Sequence, residues 1–267
     1  CHWYIHQGKK IDKKIFPLVK YIAKFDQEIW NEKTHEKLFQ IIINDKYSQE
    51  RVTAQTDSSK LALVRGLKNV CDTFGVLQIK DDIMHITKVG KKILNGNNFN
   101  EIIHQQLLKF QWYNPETKTK HYRGCQLIPY IFMCELLFKL DNHAITKKEY
   151  VLFVSKSKSH SQLDKVYNEI LEWRSLNENE QKYIINLLLD AKVTSQGNSI
   201  FKKIDTNYSY MANFLASGEN FLIKKEASII LNIDKIEQIS KCIDNHNKKY
   251  NYINFFSSED WLDFYGD

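Results

Sequence analysis

The sequence predicts a mainly α-helical protein with small β-hairpins, arranged as tandem winged helix-turn-helix subdomains joined by a helical segment. Three observations lead there. Only three prolines and nine glycines interrupt the 267 residues, so helical periodicity dominates. Residues 57–94 set a helix, two short alternating runs and a returning helix in that order. Residues 198–243 repeat the order later in the chain. A hydrophobic content of 43% and an aromatic content of 13% mark a globular chain with enough material for real cores.

The elements follow one by one. KKIFPLVKYIAKF (13–25) places Ile15, Val19, Ile22 and Phe25 at helical spacing, and HEKLFQIIIND (35–45) does so with Leu38, Ile41 and Ile42. Asp57, Ser58 and Ser59 are N-cap candidates for a helix carrying Leu61, Val64, Leu67 and Val70 on one face and ending near Gly75. GVLQIKDDIMHIT alternates around Asp81-Asp82, which predicts a hairpin, and TKVGKKIL restarts a helix. In the later copy, residues 198–215 are amphipathic, two apolar runs flank Ser217-Gly218 as a hairpin signal, and IILNIDKIEQISKCI follows as a helix. Between the copies, NEIIHQQLLKFQW, LIPYIFMCELLFKL, ITKKEYVLFVSK and HSQLDKVYNEILEWRSL read as helices, the third opened by a capping box of Thr146 and Glu149. The hydroxyl- and lysine-rich turn SKSKSHSQ (155–162) suits a further helix-turn-helix corner. The division expected is a first winged-helix subdomain at 1–98, a helical segment with that corner at 99–176, and a second winged-helix subdomain at 177–267.

Charge is uneven along the chain. The formal net is +6, yet residues 1–225 hold 34 basic and 24 acidic groups, a net of +10, against four lysines and eight acids in 226–267. A basic body with an acidic tail suits a polyanion-binding unit whose tail faces away from the polyanion; a solvated lysine-rich surface is the plainer alternative. No apolar run approaches the length of a membrane helix, so no membrane partner is expected. The five cysteines, at 1, 71, 125, 134 and 242, contain no Cys-x-x-Cys pair, and an odd set without a framework argues for a reducing, cytoplasmic setting. Zinc would need His121, Cys125, Cys134 and His143 together; their spacing fits no common finger, so no metal ligand is assigned. A chain opening on Cys1 also suggests cropping or processing.

Catalysis leaves no local signature: there is no Gly-x-Ser-x-Gly, Walker loop or Gly-x-Gly-x-x-Gly. A metal-dependent nuclease needs an acid and an acid-x-lysine pair on neighbouring strands, where carboxylates hold Mg²⁺ and lysine positions or activates water. Asp12-Lys13-Lys14, Glu116-Thr117-Lys118, Glu180-Gln181-Lys182 and Asp190-Ala191-Lys192 have the spacing. The first two fall in loops and the last two in a helix, so no catalytic residue is assigned. A complete metal-dependent endonuclease is the alternative; a winged-helix transcription regulator or protein-interaction module is another.

Nucleic-acid recognition is better supported. Lys9, Lys10, Lys13 and Lys14 gather near Trp3 and Tyr4, and Arg51, Gln55, Thr56, Ser58, Ser59, Lys60 and Arg65 gather at the turn and early helix before the first hairpin. The start of a recognition helix enters the major groove, where arginine, glutamine and serine read base edges; nearby lysines hold phosphates and set register. In LLKFQWYNPETKTKHYRG, Leu107, Leu108, Phe110 and Trp112 are expected in the core, with Lys118, Lys120, His121, Tyr122 and Arg123 as an exposed arm. Lys156, Ser157, Lys158 and His160 in the later turn, and Asn198, Lys202 and Lys203 in the second element, complete the candidate DNA-binding set.

LLKFQWYNP, IPYIFMCELLFKL and ITKKEYVLFV resemble the central motifs of the AlwI-like type IIS restriction endonucleases and their site-specific nicking relatives. WYIHQGKKIDKKIFPLVKYIAKFDQEIW resembles the N-terminus of that family, NYSYMANFLASGENFLIKKE its second wing, and DWLDFYGD the end of its recognition region. The resemblance is collinear over nearly the whole chain. It implies the DNA-recognition portion of a restriction or nicking enzyme, working as a monomer on double-stranded DNA. It also implies a linker, starting in the last segment, to a missing nuclease domain of the PD-(D/E)xK type or to a second cleaving subunit. Mg²⁺ would serve that nuclease part; no cofactor is expected for this chain. The catalytic residues of the family carry over to no position here.

Overall fold

Apolar residues at helical spacing turn one face of most of the long helices into a shared core, and two stretches of that core are built to one plan. The computed structural model describes residues 3, 5, 15–44, 57–115, 124–190, 200–249 and 252–267. In the first unit, α1 (Ile15–Ala23), α2 (Glu32–Asn44) and α3 (Asp57–Thr73) precede a hairpin of β1 (Leu77–Lys80) and β2 (Ile83–Ile86). Lys80 faces Ile83, so the turn is Asp81-Asp82, as the sequence indicates. Both turn residues hold positive φ, 51° and 60°, the backbone whose twist matches paired strands. The chain between α1 and α2 lies along the outer edge of β2: Ile29 bridges Ile83, Gln27 N donates to Met84 O (2.8 Å) and Met84 N to Glu28 O (3.0 Å). α4 (Lys88–Leu94) starts at Thr87, whose hydroxyl accepts from Gly90 N (3.1 Å). A Cβ on Gly90 would lie 2.4 Å from Val76 O, so only glycine allows this approach.

α5 (Phe99–Lys109) leads into the second unit. α6 (Pro129–Lys139), β3 (Ala144–Thr146) and α7 (Lys147–Leu152) come first; an inserted pair, α8 (Leu163–Ser175) and α9 (Glu178–Asp190), follows. Then come α10 (Ile200–Leu215) and a hairpin of β4 (Leu222–Lys225) and β5 (Ser228–Leu231). β5 is the middle strand of an antiparallel sheet ordered β3-β5-β4, with Ile145 opposite Ile229 and Leu222 opposite Leu231. β3 therefore stands to β5 as the Ile29 segment stands to β2. The two hairpins also share one burial rhythm, Leu77, Met84 and Ile86 inward in the first, Leu222, Ile229 and Leu231 in the second. α11 (Ile236–Lys249) and α12 (Ser258–Gly266) follow.

Three expectations are corrected here. The second hairpin turns at Glu226-Ala227, as the register Lys225↔Ser228 fixes, and not at Ser217-Gly218. Gly218, at φ 76°, ends α10 through a short 3-10 turn; a glycine at positive φ closes a helix as readily as it turns a hairpin. Residues 229–231 pair as strand, and helix starts only at Ile236. Finally, β3 lies in the segment 99–176 but pairs with β5, so the sheet crosses the division at 176/177. The capping box is as expected: Thr146 N donates to Glu149 Oε2 (2.7 Å) and Glu149 N to the Thr146 hydroxyl (3.3 Å).

Both flanks of the chain cross over. Trp3 is buried in the second unit, its ring against Trp112, Phe132 and Tyr150 and its Nε1 donating to Ser157 O (2.9 Å). α12 returns to the first unit, where Gln106 Nε2 donates to both Tyr265 O (2.6 Å) and Phe74 O (3.1 Å), and the Tyr265 hydroxyl donates to Thr73 O (2.7 Å). Leu107, Phe110 and Trp112 are buried, as expected, whereas Leu108 is only half-buried. Cys125 is disulfide-bonded, a link the cysteine spacing did not announce, while Cys71, Cys134 and Cys242 are free. Among the described residues no helix is long and apolar enough to cross a membrane.

Candidate nucleic-acid interface

Burial of one face leaves α3 a second face to present. Val64, Leu67, Val70 and Cys71 point inward, whereas Ser58, Ala62, Arg65 and Asn69 form an exposed row at spacings of four, three and four residues. Ser59 and Lys60 flank it half-buried, Lys60 Nζ lying 5.9 Å above the Phe39 ring of α2. Arg65 stands mid-row beside α2; burial first, then its charge, holds the His35 imidazole below the usual range. Sequence reasoning named Ser58, Ser59, Lys60 and Arg65 but missed Ala62 and Asn69, which the helical spacing from Ser58 through Arg65 and beyond would have found. Arg51, Gln55 and Thr56 lie outside the described residues, as do Lys9, Lys10, Lys13, Lys14, Lys118, Lys120, His121, Tyr122, Arg123 and Asn198.

α10 occupies the equivalent place in the second unit. Tyr208, Met211, Ala212, Phe214 and Leu215 are buried, with Tyr208 edge-on to Tyr150 at 5.4 Å, and Ser209 and Tyr210 are exposed. Lys202 and Lys203 belong to this helix; their side chains lie outside the described set.

The turn 155–162 is divided. Lys156 and Lys158 are exposed, but Ser157 is only 2% exposed beneath Trp3. His160 packs between Phe132 (5.7 Å) and His246 (4.6 Å), and its Nε2 accepts from Ile128 N (3.4 Å). Burial, then the neighbouring His246, drives its pKa down to about 3. Ser157 and His160 therefore serve the core and leave the candidate surface; polarity was read as exposure. Glu180 of α9 is an ordinary cap, accepting from Asn177 N (2.9 Å). Among the described residues no group of three or more His, Cys, Asp or Glu is placed to hold a metal.

A second buried histidine ties the units together. Tyr130 on α6 accepts from Phe221 N (3.1 Å) and lies 3.3 Å from His104 Nδ1 on α5, with burial pushing the His104 pKa to about 4. In its neutral form the ring can accept the tyrosine proton at Nδ1, the tautomer that keeps its N–H on Nε2. A histidine whose folded pKa is depressed stabilises above its unfolded pKa of about 6.5 and loses that stability as pH falls towards the folded value. Folding stability is therefore expected to fall between pH 6.5 and 4, each such histidine adding up to about 1.4 kcal/mol per pH unit. Urea midpoints across that range check this. His104→Gln, which still accepts but does not titrate, should flatten the slope; an unchanged slope would mean that other groups set it.

Residues 73–263 match the family described as AlwI restriction endonuclease, well over half of the chain. The chain belongs to the AlwI restriction endonuclease family. Among solved structures it is similar to the BpuJ1 endonuclease binding domain, crystallised in complex with pyrene- and phenanthrene-modified DNA. The two share 17% identity over 99% of this chain and 97% of that one, with a TM-score of 0.64. No curated protein matches.

Proposed function

We propose that this chain is the recognition portion of a type IIS restriction or nicking endonuclease, reading an asymmetric double-stranded DNA site as a monomer. The observation that supports it most is the repeated plan of three helices, an edge segment and a hairpin, each copy offering the outer face of its third helix, in a chain of a restriction-enzyme family. We read both copies as winged helices: the first spans 15–86 with α3 as reading helix, the second 129–231 with α10, and the pair α8–α9 is an insertion. Two unlike reading helices in one chain need no palindrome and no two-fold partner. The basic excess of residues 1–225 supplies the phosphate attraction that positions them. The Mg²⁺ that the family resemblance implies belongs with a nuclease domain or a cleaving subunit, and no step is assigned to it here.

Selection of bound duplexes from a random pool, followed by affinity measurement at two salt concentrations and a Mg²⁺-dependent plasmid assay, tests this. One asymmetric sequence, bound by a monomer that leaves plasmid intact, is expected. Strand scission at fixed sites would make the chain a complete endonuclease, and a dyad-symmetric footprint would overturn the monomer. Loss of all duplex affinity at low salt would turn the reading towards a protein-interaction module.

A further inference from the structure

The two hairpins match in fold but not in charge. LQIKDDIMHI (77–86) carries one lysine against two aspartates, with both aspartates at the tip; LIKKEASIIL (222–231) carries two lysines against one glutamate. Their neighbours widen the gap. α12 and the residue after it bring carboxylates over the first hairpin, where Lys80 pairs with Glu259, and over α4, where Lys88 pairs with the Asp267 side chain and Lys92 Nζ donates to Asp267 O (2.9 Å). Around the second hairpin the additions are basic. Lys147 N donates to Ala227 O (2.7 Å), which sets the first residues of α7 against the turn, and Thr146 stands opposite Ser228, itself opposite Lys225. Lys147, Lys148, Lys224 and Lys225 thus gather at one end of the sheet, with Lys148 and Lys225 exposed. Lys224 Nζ reaches Asn213 Oδ1 of α10 (2.9 Å), which joins this basic end to the reading helix.

We propose that the second hairpin, with the start of α7, is a clamp for the DNA phosphate backbone, and that α12 closes the first hairpin to that role. This rests on the DNA-reading function proposed above. Phosphate binding needs cations whose charge is not already balanced, and each phosphate that a lysine neutralises releases counterions and so adds to the salt dependence of binding. Lys148 and Lys225 meet the requirement; Lys80 and Lys88 face carboxylates. The α12 segment is thereby given a task, keeping one of two similar wings off the duplex, so that the protein is held at one flank of its site.

The test compares two exposed pairs on mixed-sequence duplexes. Lys148→Ala/Lys225→Ala is expected to weaken binding to every sequence alike, roughly tenfold at low salt, and to flatten the plot of log affinity against log salt by about one to two. Lys148→Arg/Lys225→Arg should restore both, which separates lost charge from lost folding. Lys80→Ala/Lys88→Ala should change neither. Equal losses from the two pairs, or a loss from Lys80→Ala/Lys88→Ala alone, would overturn the assignment. So would a Lys148→Ala/Lys225→Ala protein that binds as tightly as the unsubstituted one. An unsubstituted chain that holds no duplex at all would instead sink the DNA-reading function, and this inference with it.

Discussion

Arg174→Ala is expected to lower folding stability by about 3–5 kcal/mol, the cost of stranding a buried carboxylate. Arg174 on α8 donates from Nε to Glu149 Oε1 (2.7 Å) and from Nη2 to Oε2 (3.2 Å), a two-point grip that lysine cannot reproduce. The same guanidinium holds Ala144 O (2.7 Å) and Asn142 Oδ1 (2.9 Å), so it also fixes the start of β3. The Glu149 side chain is 4% exposed, against 27% for Arg174. Truncating the arginine therefore leaves a charge in the interior with only its cap bonds to Thr146. Urea unfolding of Arg174→Ala, and of Arg174→Ala/Glu149→Gln, measures the effect. The second change removes the stranded charge and should recover a good part of the loss. A loss below about 1 kcal/mol would place this pair among screened surface ion pairs.

Arg65→Ala is expected to cost about 1–3 kcal/mol in binding to the selected duplex, roughly fivefold to 150-fold, and to relax preference at one base position. The argument is positional. Arg65 is central in the exposed row of α3, its neighbours Ala62 and Asn69 are short, and a planar fork there can bond guanine O6 and N7 together. Arg65→Lys should keep most of the non-specific affinity and lose the preference. A uniform loss over all sequences would make Arg65 a phosphate contact, and no change in either quantity would remove α3 as the reading helix.

What the sequence disclosed was local. The faces of α2 and α3, the turn at Asp81-Asp82 and the Thr146–Glu149 box each depend on residues within one or two helical turns, and all are found. What it hid depends on distance. β3 has three residues and finds its partner β5 more than eighty positions later, so no period could reveal it. Gly218 gave the right conformation for the wrong element. Ser157 and His160 were read by residue type, but Trp3, from the far end of the chain, covers Ser157, and Phe132 and His246 enclose His160. Of the interface, the α3 row was half legible, because helical spacing finds exposed positions once the buried ones are known. Of the charge contrast between the hairpins, the part that α12 adds was not legible, because Glu259 lies 179 positions from the Lys80 that it meets.

Trp3 in the second unit and α12 on the first have a geometric consequence. The chain passes between the units at both flanks as well as through α5, so no single loop can act as a hinge, and swinging one unit would first pull out an aromatic anchor or a helix. The distance between α3 and α10 is therefore set by the fold. A protein built this way measures as well as reads: one extra base pair in the middle of a site would displace half of it by ~3.4 Å and turn it by roughly 34°. On the DNA-reading function proposed above, a clasped frame cannot follow that step, so the length of the site would be specified as firmly as its letters.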